Sequence, residues 1–297
     1  MNLFTVKQQY YTGNYNSCLQ ELSKVESNSN DTYLYYKCKC LLATNDVESV
    51  SAENDTTLSK AFAAYVQFLG SPDESSLSAL ENIVFSDPSS LYSLILLGTA
   101  YSILGQFEKS YTFALENFSN AKTSQEGYVE LLLLIVQDLI YLEDSGKALK
   151  LFKKFLSETD DLKNEDEIIT SFIEGYLNFN THTEVNNGSA FYFFEDLNHT
   201  NPSYKTNLML LNLHLQNKNL EEANSIVQLL ESEFYADSKQ LFLSDLLVAK
   251  ITYGLLKGED VKVLRRELLE LDPNHTYCVK HLDISSKLDA IVAKYNS

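Results

Sequence analysis

The sequence contains little glycine and little proline, 10 and 4 residues among 297. A protein built from β-strands needs a turn every few residues, and turns rely heavily on these two residue types. Apolar residues instead recur three and four positions apart along most of the chain, the spacing of one face of an α-helix. With 44% hydrophobic residues, the chain can bury a sizeable core. The sequence therefore predicts an all-α protein.

Basic residues are scarce as well: 23 Lys and Arg stand against 41 Asp and Glu, a formal net charge of −18. An acidic chain repels phosphate groups, so direct binding to nucleic acid or to anionic lipid headgroups would need a local basic patch. The densest group of lysines, at 147–154, has acidic residues on both sides, and we interpret it as a solvated helix face. We therefore expect no nucleic-acid partner.

Long hydrophobic runs and paired cysteines are also missing. The most apolar run, Leu131–Val136, is far shorter than a membrane span. The N-terminus lacks the basic start and long apolar run of a signal peptide. The four cysteines, Cys18, Cys38, Cys40 and Cys278, have no paired spacing, and free thiols are typical of a reducing compartment. These features predict a cytosolic protein that does not insert into a membrane.

The motifs of common enzymes are absent too. There is no glycine-rich phosphate loop, no nucleophile elbow and no His-Glu-x-x-His pair. His275, Cys278 and His281 come closest to a metal pattern, but they fan over a wide arc of a helix and a zinc site needs four ligands. We interpret Cys278 as a core residue, both histidines as surface residues, and His214 as a packed core histidine. The sequence predicts no catalytic residue, no metal and no cofactor.

What the sequence does contain is a helical repeat. The stretch "LLGTAYSILGQFEKSYTFALENF", at 96–118, carries Gly98 and Gly105 although glycine inside a helix costs about 1 kcal/mol relative to alanine. A Leu-Gly pair followed three residues later by Tyr101 is typical of the tetratricopeptide unit, which pairs two helices over 34 residues. We expect Gly98 to lie where the two helices pack closest. Gly105 is expected to end the first helix in a left-handed conformation.

Related units follow one another along the chain. The clearest lie at 10–22, 210–230 and 263–275, and a weaker copy surrounds Ala148. The second unit joins helices at 32–43 and 58–69 across a polar insertion, and a similar insertion at 180–188 splits the fifth; both are expected to be mobile loops. The pattern predicts one tetratricopeptide-like α-solenoid domain over residues 1–297, with about seven helix pairs and a C-terminal capping helix at about 277–295.

The first helices of such units present one stripe to the core and a second to the inner, concave face of the superhelix. Here the second stripe is aliphatic and aromatic, which favours a large and long-lived protein interface. If it binds a partner, it should be partly exposed in the isolated chain. The alternative is that tight curvature buries it within the chain itself. The predicted partner-binding residues are Ile95, Ile103, Leu133, Ile140, Tyr141, Leu208 and Leu215.

Three stretches resemble one protein family: "FTVKQQYYTGNYNSCLQEL" at 4–22, "YVQFL" at 65–69 and "LLNLHLQNKNLEEANSIVQLLESEFY" at 210–235. They are similar to the epsilon subunit of coatomer, especially in its budding-yeast form, and the likeness extends to the C-terminal "KLDAIVAKY". The segments at 45–57 and 180–188 depart most from the family.

The resemblance implies a tetratricopeptide-like solenoid that is a non-catalytic subunit of the COPI coat in Golgi-to-ER and intra-Golgi vesicle transport. It also implies that the chain curls around a projecting part of the C-terminal domain of alpha-COP, stabilises that subunit, and reaches the Golgi membrane through the coat as a peripheral protein. The alternative function is a chaperone adaptor that captures short acidic peptide termini. Such an adaptor needs a basic inner clamp, which the predicted stripe does not supply.

Overall fold

The computed structural model of the chain describes residues 3–24, 30–50, 55–159, 163–181 and 184–295, and these ranges contain helices and no strand. The all-α prediction is confirmed. The helices are α1 Leu3–Tyr11, α2 Tyr15–Ser23, α3 Asp31–Ala43, α4 Thr57–Gly70, α5 Glu74–Ser86, α6 Leu91–Ile103, α7 Phe107–Asn120, α8 Tyr128–Tyr141, α9 Ser145–Glu158, α10 Glu167–Thr181, α11 Glu184–Thr200, α12 Tyr204–Gln216, α13 Leu220–Glu231, α14 Ala236–Lys239, α15 Leu243–Lys257, α16 Lys262–Leu271 and α17 Thr276–Tyr295.

Most helices pack as antiparallel hairpins, each helix against its successor, as tetratricopeptide-like units do. These hairpins are α1–α2, α4–α5, α6–α7, α8–α9, α12–α13 and α15–α16. The second unit differs from the prediction, because α4 packs mainly against α5, and α3 lies between α2 and α4. The predicted loop at 180–188 is also wrong in part, since α10 continues to Thr181 and α11 begins at Glu184. Residues 51–54 and 182–183 of the two predicted insertions lie outside the described residues.

Six of the helices end, within the described residues, in the same left-handed turn. At the end of α6, Gly105 has φ +74°, its N–H donates to Ser102 O at 2.9 Å, and the next N–H donates to Tyr101 O at 2.9 Å. This pair of hydrogen bonds satisfies the last carbonyl groups of the helix. The predicted role of Gly105 is confirmed. The corresponding residues elsewhere are Gly13, Asn45, Glu143, Lys218 and Gly258.

Gly98 lies at a close approach between helices, but the closest helix is not the predicted one, the second helix of its own unit. A Cβ atom there would lie 2.7 Å from Leu134 Cδ2 in α8 and 3.4 Å from Ser110 Oγ in α7. The nearest neighbour therefore belongs to the next hairpin and not to the second helix of the same unit. Gly98 lets α6 pack against both following helices.

The chain divides into two compact units, Met1–Phe193 and Phe194–Ser297, with the boundary inside α11. In the second unit, α12, α13 and α15 enclose one apolar cluster that contains Tyr204, Leu211 and Leu230. A further cluster joins α15, α16 and the start of α17. The assignment of residues 1–297 to a single domain stays a prediction.

Helix α17 forms close to where it was predicted, at Thr276–Tyr295. Its first turn closes the end of the second unit, because Cys278 is buried against Leu247, Ile251 and Leu268. Every described residue from Leu282 onward is exposed. The covering contact is therefore confined to the beginning of the helix.

Candidate partner-binding surface

The predicted inner stripe divides into buried and exposed residues. Ile95, Leu133, Leu208 and Leu215 are only 5%, 9%, 6% and 3% exposed, so the expectation that they are partly exposed is wrong. The reason is packing on more than one side. Helix α6 contacts α4, α5, α7 and α8, helix α8 contacts α6, α7, α9 and α10, and α12 packs between α13 and α15.

The other three predicted residues lie at the C-terminal ends of α6 and α8. Ile103 is 46% exposed, Tyr141 is 43% exposed, and Ile140 is half-buried. The ring of Tyr141 stacks on Phe107, with centroids 4.6 Å apart and planes 8° from parallel. These three side chains can therefore meet a partner without unfolding of the helices, and their partner-binding role stays a prediction.

The first unit contains a closed circuit of helices that sequence reasoning did not predict. Helix α1 packs on α3, α3 on α4 and α6, α6 on α8, α8 on α10, and α10 packs back on α1. The rings of Tyr11 in α1 and Phe172 in α10 lie 5.8 Å apart. The N-terminal helix thus closes the circuit against a helix that follows it by about 160 residues of chain.

A buried ion cluster holds this closure together. Lys7 Nζ in α1 lies 2.9 Å from Glu130 Oε1 in α8 and also bonds Asp166, in the turn before α10. The hydroxyl of Tyr36 in α3 donates to Glu130 at 2.7 Å. Lys7 and Glu130 are each 3% exposed. Four elements of the circuit therefore meet at one charged centre.

The pKa shifts in this cluster follow from burial and charge. Burial alone would lower the pKa of Lys7, but the charges of Glu130 and Asp166 outweigh it, and the pKa is raised. Burial raises the pKa of Asp166, although Lys7 opposes that shift. The ammonium group thus stays charged, and both carboxylates favour its charged form.

Several side chains of the first unit are surrounded by protein and yet keep some accessible surface. Tyr10, Lys39 and Tyr176 are half-buried. Burial raises the pKa of Tyr10 well above its usual value and that of Tyr176 to about 12, and it lowers the pKa of Lys39. We call the group of half-buried residues Tyr10, Tyr15, Lys39 and Tyr176 the tyrosine recess.

The contacts within this surface are aromatic. The ring of Tyr10 lies 5.8 Å from that of Tyr15 and 5.2 Å from that of Tyr36. Lys39, in α3, has no carboxylate within ion-pair distance among the described residues. The one sequence signal for this site was composition, because six tyrosines lie between positions 10 and 36. Tyr176 belongs to α10, and no sequence signal indicated that α10 packs on α1.

The remaining polar candidates belong to the second unit. His214 is buried in α12, as predicted for a core histidine, and burial lowers its pKa. Cys278 is in the core, as predicted. His275 approaches Asp245 at 3.4 Å and His281 stacks on Tyr277, and both histidines are half-buried at the surface. Among the described residues, no group of three or more His, Cys, Asp or Glu could hold a metal ion. None of the described helices has the length and hydropathy of a membrane span.

Comparison with known proteins identifies the family. The family model of the coatomer epsilon subunit matches residues 1–295. Coatomer subunit epsilon of Saccharomyces cerevisiae (strain ATCC 204508 / S288c) is 36% identical over 302 residues, covering 100% of this chain and 99% of the yeast protein. A solved structure titled "Human IFIT1 dimer with PPP-AAAA" shares 16% identity at a TM-score of 0.47, covering 95% of this chain and 81% of that chain, a likeness too weak for any conclusion. The resemblance inferred from sequence is confirmed, and the chain belongs to the coatomer epsilon subunit family.

Proposed function

We propose that this chain is a non-catalytic coat subunit that binds and stabilises the C-terminal domain of alpha-COP. Membership in the family makes it a component of coatomer, the coat of COPI vesicles, with other coatomer subunits as its partners. The finer role is support of Golgi-to-ER retrograde and intra-Golgi vesicle transport. In this role the chain is cytoplasmic and lies peripherally on Golgi membranes and COPI vesicles, which it reaches through the coat.

The tyrosine recess is the observation that carries the choice of binding surface. Tyrosine combines a large apolar ring with a hydroxyl group, and for that reason it is enriched among the residues that dominate binding energy at interfaces. Lys39 is a cation that loses contact with water through burial, and a carboxylate of the partner would offset that loss. A projecting segment of alpha-COP that enters the recess would bury both kinds of side chain.

The closed circuit supports the same proposal. A surface joined to the Lys7, Glu130 and Asp166 cluster through Tyr36, whose ring lies 5.2 Å from that of Tyr10, is held in shape before binding, which lowers the entropy cost of association. Enclosure on several sides also favours a complex that dissociates slowly. This is the behaviour expected of a permanent coat subunit and not of an adaptor that exchanges short peptides.

The test is co-expression with the alpha-COP C-terminal domain, followed by gel filtration. We expect one stoichiometric complex from the unaltered chain. Lys39→Glu should weaken that complex, and Lys60→Glu, at an exposed lysine of α4, serves as the matched charge control. Two independent monomeric peaks from the unaltered chains would contradict the proposal.

A titration with a short acidic peptide distinguishes the adaptor alternative from the proposed coat subunit. Micromolar, strongly salt-dependent binding that Lys39→Glu abolishes, together with no alpha-COP complex, would favour an adaptor. The salt dependence matters because contacts between exposed charges are screened within about 10 Å at 0.1 M salt.

A further inference from the structure

Helix α17 carries a row of apolar side chains that the second unit leaves uncovered. Ile284, Leu288, Ile291 and Tyr295 are 62%, 58%, 51% and 87% exposed. They recur at intervals of four, three and four residues, which is the spacing of the a and d positions of a coiled coil. Scattered exposed apolar residues are ordinary, but four in one heptad register form a continuous seam.

The seam continues a face that is already packed at its beginning. Tyr277 and His281 precede it in the same register, and their rings stack with centroids 5.8 Å apart. The hydroxyl group of Tyr277 accepts a hydrogen bond of 3.0 Å from Arg265 Nε in α16. One face of the helix therefore packs against the second unit in its first turn and is exposed in the following three turns.

One edge of the seam is basic. Lys280, Lys287 and Lys294 each lie one residue before an a position, at the heptad position called g, in a chain with a net charge of −18. The opposite edge, position e, holds Ser285 and Val292. Lys287 pairs with Asp283 at 2.6 Å, but both side chains are more than half exposed. Such a pair contributes little and can be exchanged for a partner's carboxylate.

This charge pattern disfavours a second copy of the chain as the occupant. In an antiparallel pair of α17 helices, the g positions face each other, so lysines would oppose lysines. In a parallel pair, g faces e of the other helix, where Ser285 and Val292 offer no carboxylate. A partner helix with carboxylates beside its apolar row suits this edge better than a second copy does.

We propose that α17 binds an acidic amphipathic helix of another protein in a short heterotypic coiled coil. That helix has its own apolar a and d row, and Asp or Glu at the flanking positions that face Lys280, Lys287 and Lys294. The seam spans residues 284–295, fewer than two heptads, which suits a modest, reversible interface. The seam shares no residue with the tyrosine recess, so the proposal does not depend on alpha-COP binding there.

The probe is a pair of synthetic three-heptad peptides with Ile and Leu at a and d, one with Glu and one with Lys at positions e and g. Binding to the full chain is measured by fluorescence anisotropy at low and high salt. We expect the acidic peptide to bind more tightly and to weaken as salt rises. The triple variant Lys280→Glu, Lys287→Glu, Lys294→Glu should weaken acidic-peptide binding by about tenfold or more and prefer the basic peptide, since three charge pairs change sign.

Two controls keep the test decisive. Ile284→Ser with Ile291→Ser should abolish binding of both peptides, whereas Lys150→Glu, Lys153→Glu and Lys154→Glu, at exposed lysines of α9, should change neither. Equal binding of the two peptides, or loss of binding in the α9 variant, would overturn the proposal. Two other outcomes would also overturn it. One is a dimer, seen in sedimentation, that Ile284→Ser with Ile291→Ser dissociates. The other is binding to phosphatidylserine vesicles that the triple α17 variant loses.

Discussion

Lys7 of α1 and Glu130 of α8 form a buried ion pair, with 2.9 Å between Nζ and Oε1, although most of the first unit separates them in sequence. Removing one member of such a pair leaves an uncompensated buried charge. Lys7→Met should therefore lower the free energy of unfolding by about 3–5 kcal/mol, measured by urea denaturation. The matched control is Lys24→Met, at an exposed pair with Glu21, where less than about 1 kcal/mol is expected. Equal effects of the two substitutions would show that the cluster does not hold the circuit closed.

Asp138 gives the stability a distinct pH dependence. Burial raises the pKa of this carboxyl group to about 6 from an ordinary 3.8, against the hydrogen bonds donated by Ser110 and Ser102. The folded state therefore binds a proton more tightly than the unfolded state, so this group lowers stability as pH rises from about 4 to 6. Asp138→Asn has no carboxyl group to titrate and should not show that loss. The difference in free energy of unfolding between the variant and the unaltered chain should therefore shift in favour of the variant by up to about 3 kcal/mol as pH rises from about 4 to 6. Urea denaturation of both proteins at pH 4.5 and at pH 7 measures this difference in unfolding free energy. If the difference is the same at both pH values, the charged Asp138 carboxylate is not destabilised by burial.

Gly98 should tolerate no side chain. Its Cβ would lie 2.7 Å from Leu134 Cδ2, so Gly98→Leu should cost about 1–3 kcal/mol, the usual range for overpacking. Gly70→Leu is the comparison, because nothing lies within 4 Å of the corresponding atom. Thermal unfolding distinguishes the two, and a Leu134→Ala background should recover part of the Gly98 loss. If Gly98→Leu leaves the thermal unfolding midpoint unchanged, α6 and α8 do not pack closely at Gly98.

The left-handed turns at Glu143 and Lys218 can be improved. Both residues have φ +61°, where an L-residue with a side chain is disfavoured by about 1–2 kcal/mol. Glycine avoids that strain, but it also gives the unfolded chain more conformational entropy, which offsets part of the gain. Glu143→Gly and Lys218→Gly should therefore each raise the free energy of unfolding by about 0.5–1 kcal/mol. Gly105→Ala, at φ +74°, should do the opposite. Calorimetry that shows all three changes in the same direction would refute this explanation of the turn.

The buried and exposed members of the predicted stripe should respond differently to charge. Leu133 is 9% exposed, so Leu133→Glu should destabilise the isolated chain by several kcal/mol. Ile103 is 46% exposed, and Ile103→Glu should leave helix content and unfolding almost unchanged. Circular dichroism during denaturation measures both. If Ile103→Glu also loses the alpha-COP complex while it stays folded, the C-terminal end of α6 belongs to that interface.

The local pattern of the sequence determined the helices and several of their ends. Apolar spacing identifies an all-α chain, and the Gly105 turn follows from the conformational freedom of one residue. The close packing at Gly98 was also expected, because a glycine inside a helix has a cost that only a close neighbour explains. These features depend on residues within a few positions of one another, so their physical causes are present in the sequence itself.

Only the tertiary structure decided which surfaces are free. Ile95 and Leu133 match the pattern of an inner stripe, but helices on both sides bury them. The ion cluster of Lys7, Glu130 and Asp166 and the ring contact of Tyr11 with Phe172 both required α1 to pack on α10. The exposed seam of α17 likewise depends on where the second unit ends. Periodicity states which face of a helix is apolar; what covers that face is set by contacts between distant segments, which no local spacing encodes.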